Sequence, residues 1–162
     1  VGSARVWLVG GIFFLIATGI QQSAAVSMSI GLARPNFLLL AISLFAPYAG
    51  RTGTGALGLL SGVLQGAIAG ANLTAYSLSR ILAGLAVGQL HQTELARTAW
   101  VAALTAFLTV AVAQTILLFI APSQNLGAFT LATMGTAIYN GVLAVPLDWG
   151  LSKVLRPPAY DR

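Results

Sequence analysis

The sequence is poor in charge. Acidic residues are rarer still, with three Asp and Glu against eight Lys and Arg in 162 residues, and cysteine is absent. Charged residues make up 7% of the chain, whereas a soluble domain carries about 25%, so this one cannot clothe a water-facing surface. Without cysteine there is no disulfide, no thiolate zinc site and no thiol nucleophile. The single histidine, His91, has only Glu94 close in sequence, too little for a metal site or a catalytic triad; it reads as part of a solvated turn at a membrane edge. No paired carboxylates fall inside an apolar run, which argues against a proton-relay transporter. The glycines have helical rather than phosphate-loop spacing, and no cofactor is implied.

What is present is hydrocarbon. Apolar residues make up 57%, and the mean hydropathy is +0.88. A chain of this size fits an all-α bundle of about six transmembrane helices at about 20 residues each. The net charge of +5 sits between apolar segments, so we assign it to topology and anionic lipid rather than to nucleic acid. No cleavable signal peptide is evident, and a first residue of Val1 suggests a trimmed N-terminus.

The most informative stretch runs from Gly55 to Gly70. Gly58, Gly62, Gly66 and Gly70 recur every four residues and, with Gly55, fall within roughly 120° of one helical face. Gln65 joins them, while Leu57, Leu60, Leu64 and Ile68 line the opposite side. In lipid such a face admits another backbone closely, so we expect the central helix of the bundle here. The face serves packing within the chain or docking of another membrane helix.

Around it the sequence predicts helix 1 over 6–28, with a polar far half containing Gln21 and Gln22. Helix 2 is expected over 35–49, with Pro35 in its first turn; at about 22 Å it is short for a core of ~30 Å and calls for local thinning or shielding by neighbours. A turn over 50–53 precedes the glycine helix. Helix 4 follows over 74–90, helix 5 over 96–120, and helix 6 over 126–147, with a kink at Pro146 and an extension toward 155. Residues 1–155 form one transmembrane domain and 156–162 a short tail.

Arg80 is the sharpest single signal. It shares a face with Tyr76, Gly84 and Gly88, which points it into the bundle, and all three acids lie on the predicted opposite side of the membrane. Snorkelling to a lipid phosphate, Gln21 or Gln22, backbone carbonyls or a partner's acid remain open as its counterparts. Gln114 and Asn140 are expected to bond across helices. Asp148 is expected to pair with Arg51, Arg97 or Lys153 at the headgroup level. With both termini in the cytoplasm, Arg5, Arg51, Arg97, Lys153, Arg156 and Arg162 lie inside and only Arg34 outside, a clear positive-inside bias. Trp7, Trp100 and Trp149 then sit at inner ends.

Three runs resemble the bacterial rod shape-determining protein MreD family: Arg34 to Leu40, Gly58 to Gly70 followed by Leu78 to Leu90, and Tyr139-Asn140-Gly141 with Pro146. The family usually carries an acid after the residue equivalent to Gln65; here that position is Gly66. The resemblance implies a six-helix inner-membrane subunit, similar in fold to the substrate-binding subunits of energy-coupling-factor transporters. It implies a non-catalytic role, binding membrane-anchored MreC among elongation proteins that include MreB filaments and a glycan polymerase–transpeptidase pair. A competing expectation is a small-molecule transporter subunit, with Gln21, Gln22 and Arg80 lining an outward cavity.

Overall fold

The computed structural model describes residues 3–91 and 98–155. Arg97 and Glu94, and the tail with Arg156 and Arg162, lie outside the described residues. Five helices follow in order: α1 Ser3–Ser23, α2 Phe37–Ala69, α3 Leu73–His91, α4 Ala99–Ile120 and α5 Leu126–Leu155. Four of them (α1, α2, α4 and α5) are long and apolar enough to cross a membrane. The count falls short of the six spans expected for two reasons: the second and third expected helices run together as α2, and α3 carries Arg80, Gln89 and His91 and is less apolar.

The helix starts are chemically marked. The side chains of Asn36, Asn72, Thr98 and Asn125 accept hydrogen bonds from the backbone N–H groups of Leu39, Ala75, Val101 and Ala128. Each satisfies an N–H that the helix itself leaves unpaired. Asn36 is the cap of α2, so Pro35 lies just outside the helix rather than in its first turn. Helix α1 ends earlier than expected, at Ser23, and residues 24–28 form turns. Helix α5 continues through Pro146 to Leu155.

Helix α2 is two arms. Gly50 has φ 65° and ψ −178°, outside the helical region, three residues after Pro47. The Gln65 side chain meets that of Asn36 at 2.6 Å, whereas 29 residues of straight helix would hold them ~43 Å apart. The chain therefore folds back at Gly50 into arms 37–49 and 51–69. One glycine makes the turn for which four residues were expected, because only glycine enters the left-handed region at little cost.

The short arm, not the glycine arm, is the centre of the bundle. Every residue from Leu38 to Ala46 is at most 3% exposed. It is sheathed on all sides, which answers how so short a helix is accommodated: it meets protein rather than lipid. Phe14 and Phe13 of α1 and Val110 and Ala113 of α4 belong to the same core, with Ala137 and Ala144 of α5. Phe13 and Phe45 meet with their rings tilted at 58° and centroids 5.5 Å apart.

The glycine arm instead makes a tight antiparallel hairpin with α3. A Cβ on Gly58 would strike the Arg80 carbonyl, and one on Gly62 the backbone of Ser77. From the other side, Gly84 lies against the Thr54 carbonyl and Gly88 against Arg51. Gly55 faces Leu85 and Gly66 faces Leu73. Gly70 departs from this face: at φ 57° it is the left-handed C-cap of α2, with open space around it. Leu60 and Ile68 face outward, as their side of the helix predicts, while Leu57 is buried.

Candidate functional site

One buried polar chain ties four elements together. Its hub is Asn36, whose position is fixed by its role as the cap of the central arm. The Asn36 N–H donates to Asn140 Oδ1 at 3.0 Å, and Asn140 Nδ2 returns a bond to the Asn36 carbonyl at 2.9 Å. Asn36 Oδ1 accepts from Leu39 N–H and also from Gln65 Nε2, at 2.6 Å. Gln65 Oε1 in turn accepts from Arg80 Nε at 2.9 Å. Beside the hub, Phe37 N–H donates to Gln21 Oε1 of α1 at 2.8 Å, and Arg34 N–H to Thr136 of α5 at 3.3 Å.

Arg80 is 1% exposed, the largest fully buried side chain. Its Nη1 donates to Ser79 Oγ at 2.7 Å, and its guanidinium carbon lies 4.6 Å from the centre of the Tyr76 ring. The cation is thus held by an amide oxygen, a hydroxyl and an aromatic face. Glycines make this burial geometrically available: Gly58 lets α2 come against the Arg80 backbone, which brings Gln65 within reach about two turns further on.

The bonds settle the amide orientations: Asn140 and Gln65 each have a partner of the matching kind for both oxygen and nitrogen, and Asn36 Oδ1 accepts from the Leu39 N–H. It offers no nucleophile with an adjacent base, and arginine does not release its proton here to serve as an acid. What the arrangement does is fix where the central arm begins relative to α1, α3 and α5.

The other candidate residues fall elsewhere. Gln22 is exposed. Gln114 makes no bond across helices: its Oε1 is buried without a hydrogen-bond partner, because the surrounding faces of α4 are apolar. Asp148 lines a small cavity of about 20 Å³ with His91, Ser43 and Thr98, where α2, α3, α4 and α5 meet. Arg51 is exposed beyond its backbone contact with Gly88, and Lys153 stacks on Trp149 with Nζ 3.2 Å from the ring centre. Among the described residues no three His, Cys, Asp or Glu side chains are grouped so as to hold a metal.

Sequence reasoning missed Asn36, Ser79 and Thr136. The signal for Asn36 was present, since Asn directly before an apolar run is a helix-start pattern. Nothing local distinguishes Ser79 or Thr136 from other small polar residues on membrane helices.

Residues 2–156 match the model of a protein family described as rod shape-determining protein MreD. No curated protein and no solved structure matches the chain.

Proposed function

The chain belongs to the MreD family of rod shape-determining proteins, and from that premise we propose that it is a non-catalytic subunit of the bacterial cell-wall elongation machinery. It sits in the inner membrane and holds a single-span, MreC-like partner; an MreB-like filament and a glycan polymerase–transpeptidase pair belong to the same assembly. The observation that carries this reading is the family match along nearly the whole chain. The use of the most distinctive polar residues in a bonded internal network supports it.

In this reading the chain crosses the membrane six times. Arms 37–49 and 51–69 cross separately, and α3 crosses under cover of the glycine arm, its arginine buried. Both ends face the cytoplasm, where Arg5, Arg51, Arg97, Lys153, Arg156 and Arg162 meet anionic headgroups and cytoplasmic partners.

The glycines of the 51–69 arm and of α3 face each other. A partner helix therefore takes another surface, and the broad apolar groove of about 630 Å³ between α4 and α5 suits it. Ala103 and Gly141 line its floor, with Leu104, Ile138 and Val142 at its sides.

Affinity purification of the tagged full chain from detergent-solubilised membranes tests the proposal. Co-recovery of an MreC-like protein, lost in Ile138→Trp/Val142→Trp but retained in Gly19→Leu, is the expected result. Recovery of the protein alone from native membranes overturns it. The transporter alternative is disfavoured by geometry, because Arg80 is enclosed and Gln21 is engaged by the Phe37 N–H rather than lining an open vestibule.

A further inference from the structure

Gln114 carries an unmet hydrogen bond. Its Oε1 is enclosed yet accepts from no donor, while the residue as a whole is half-buried. The position on α4 gives this a direction. Gln114 stands seven residues after Phe107 and eleven after Ala103, so at about 100° per residue it falls between them, within about 20° of each. Those two residues line the α4/α5 groove, and a Cβ on Gly141 would meet both of them. Gln114 therefore continues the groove-facing row, about 10 Å further toward the C-terminal end of α4. Helices α4 and α5 form a hairpin closed by residues 121–125, and the contacts of Gly141 set its register. That register puts Ala132 opposite Gln114, with Leu131 and Met134 exposed beside it. None of the three has a side-chain donor, and the nearby Thr130 hydroxyl is already given to the Leu126 carbonyl.

The unmet bond says what kind of group covers this end of the groove. Acyl chains have no donor, so lipid lying there leaves the oxygen as it is. Bulk water is remote as well, since Gln114 lies six residues, about 9 Å, inside the end of a helix long and apolar enough to cross a membrane. A change of rotamer carries the whole amide out of its apolar enclosure and into the groove, where its oxygen and its nitrogen can both be met. A polar side chain on a neighbouring helix meets them, which is how such residues join helices in lipid.

We propose that Gln114 is a docking contact for the membrane helix of the single-span partner, and that this helix carries a neutral amide or hydroxyl side chain to meet it. The polar residue lies about two turns from the point where the partner crosses Ala103 and Gly141. The inference rests on the reading of the α4/α5 groove given above, and adds to it the chemistry and the register of the partner. Because Gln114 makes no bond across helices within the chain, Gln114→Leu removes the contact without breaking an internal one. Leu118, at i+4 on the same row, is the place for a photo-crosslinking side chain; Phe119, 82% exposed but about 100° further round, is its control.

The test takes the full chain with the single-span protein that co-purifies with it. Gln114→Leu is expected to weaken that association about threefold, the worth of one interhelical hydrogen bond in a membrane, while the partner-free chain melts as the wild type does. Crosslinking from position 118, but not from 119, is expected to capture the partner within one turn of an Asn, Gln, Ser or Thr. Replacing that residue by Leu should weaken binding as much as Gln114→Leu does, and the two changes together no further. An association indifferent to Gln114→Leu overturns this inference alone. So does capture of a segment without such a residue, capture of a second copy of this chain, or a lowered midpoint of the partner-free variant. A wild type that brings down no single-span protein removes the reading of the groove, and this inference with it.

Discussion

Asn36 and Asn140 lie 104 positions apart and exchange two hydrogen bonds, backbone N–H to side-chain oxygen and side-chain amide to backbone carbonyl. The pair imitates the bonding of two paired strands at a place where a helix begins. It anchors the start of the central arm to the middle of α5. With Asn140 fully buried, removal of its amide leaves the Asn36 N–H unsatisfied in an apolar setting, while the Asn36 carbonyl keeps the Leu40 N–H.

Asn140→Leu is accordingly expected to destabilise the folded protein by about 1–3 kcal/mol, the cost of the one orphaned N–H. Asn36→Ala removes a helix cap and the acceptor of Gln65 together, and about 1–3 kcal/mol is expected. Thermal unfolding in detergent reads both. Because the bonds to Asn140 come from the backbone of residue 36, which Asn36→Ala keeps, the two costs should add to within about 0.5 kcal/mol. A double variant costing clearly less than the sum would mean that the Asn36 side chain itself holds Asn140.

Arg80 and Gln65 form the second test. Gln65→Leu keeps the buried cation and removes an acceptor, which should cost about 2–4 kcal/mol. Removing both partners, in Gln65→Leu/Arg80→Leu, should restore part of that loss, since no charge is then left without compensation. A double variant less stable than Gln65→Leu alone would show that the cation has other essential holds.

The glycine hairpin makes a prediction by contrast. Gly58→Ala and Gly62→Ala place a methyl against the backbone of α3 and should each destabilise by about 1–3 kcal/mol. Gly11→Ala and Gly19→Ala, whose added carbons meet open space, should be neutral or stabilising by up to about 1 kcal/mol. Equal effects at the four positions would be incompatible with close backbone approach.

Gly50 isolates backbone strain. A side chain there meets open space, so Gly50→Ala is penalised only for its positive φ with extended ψ, by roughly 1–3 kcal/mol. The readout is a lowered midpoint with unchanged helix content by circular dichroism.

Much of this was legible in the residues. The four-residue glycine spacing announced a close helix contact, and the shared face of Arg80, Gly84 and Gly88 announced an inward arginine. What could not be read was which apolar helix is enclosed by protein and which by lipid. Leu38 to Ala46 and Leu59 to Leu64 look alike, because lipid and protein interior select the same residues. The hub at Asn36 was hidden for another reason: its partners Gln65 and Asn140 are brought to it by the fold-back at Gly50 and the packing of α5, not by spacing.

The enclosure of arm 37–49 has a consequence for biogenesis. Thirteen residues make a weak stop for the insertion machinery, and the walls around this arm come partly from α4 and α5, which leave the ribosome last. The segment is therefore expected to gain its full enclosure only once α4 and α5 have packed against it. Truncation before α5 should yield a chain handed to proteases rather than a smaller working subunit.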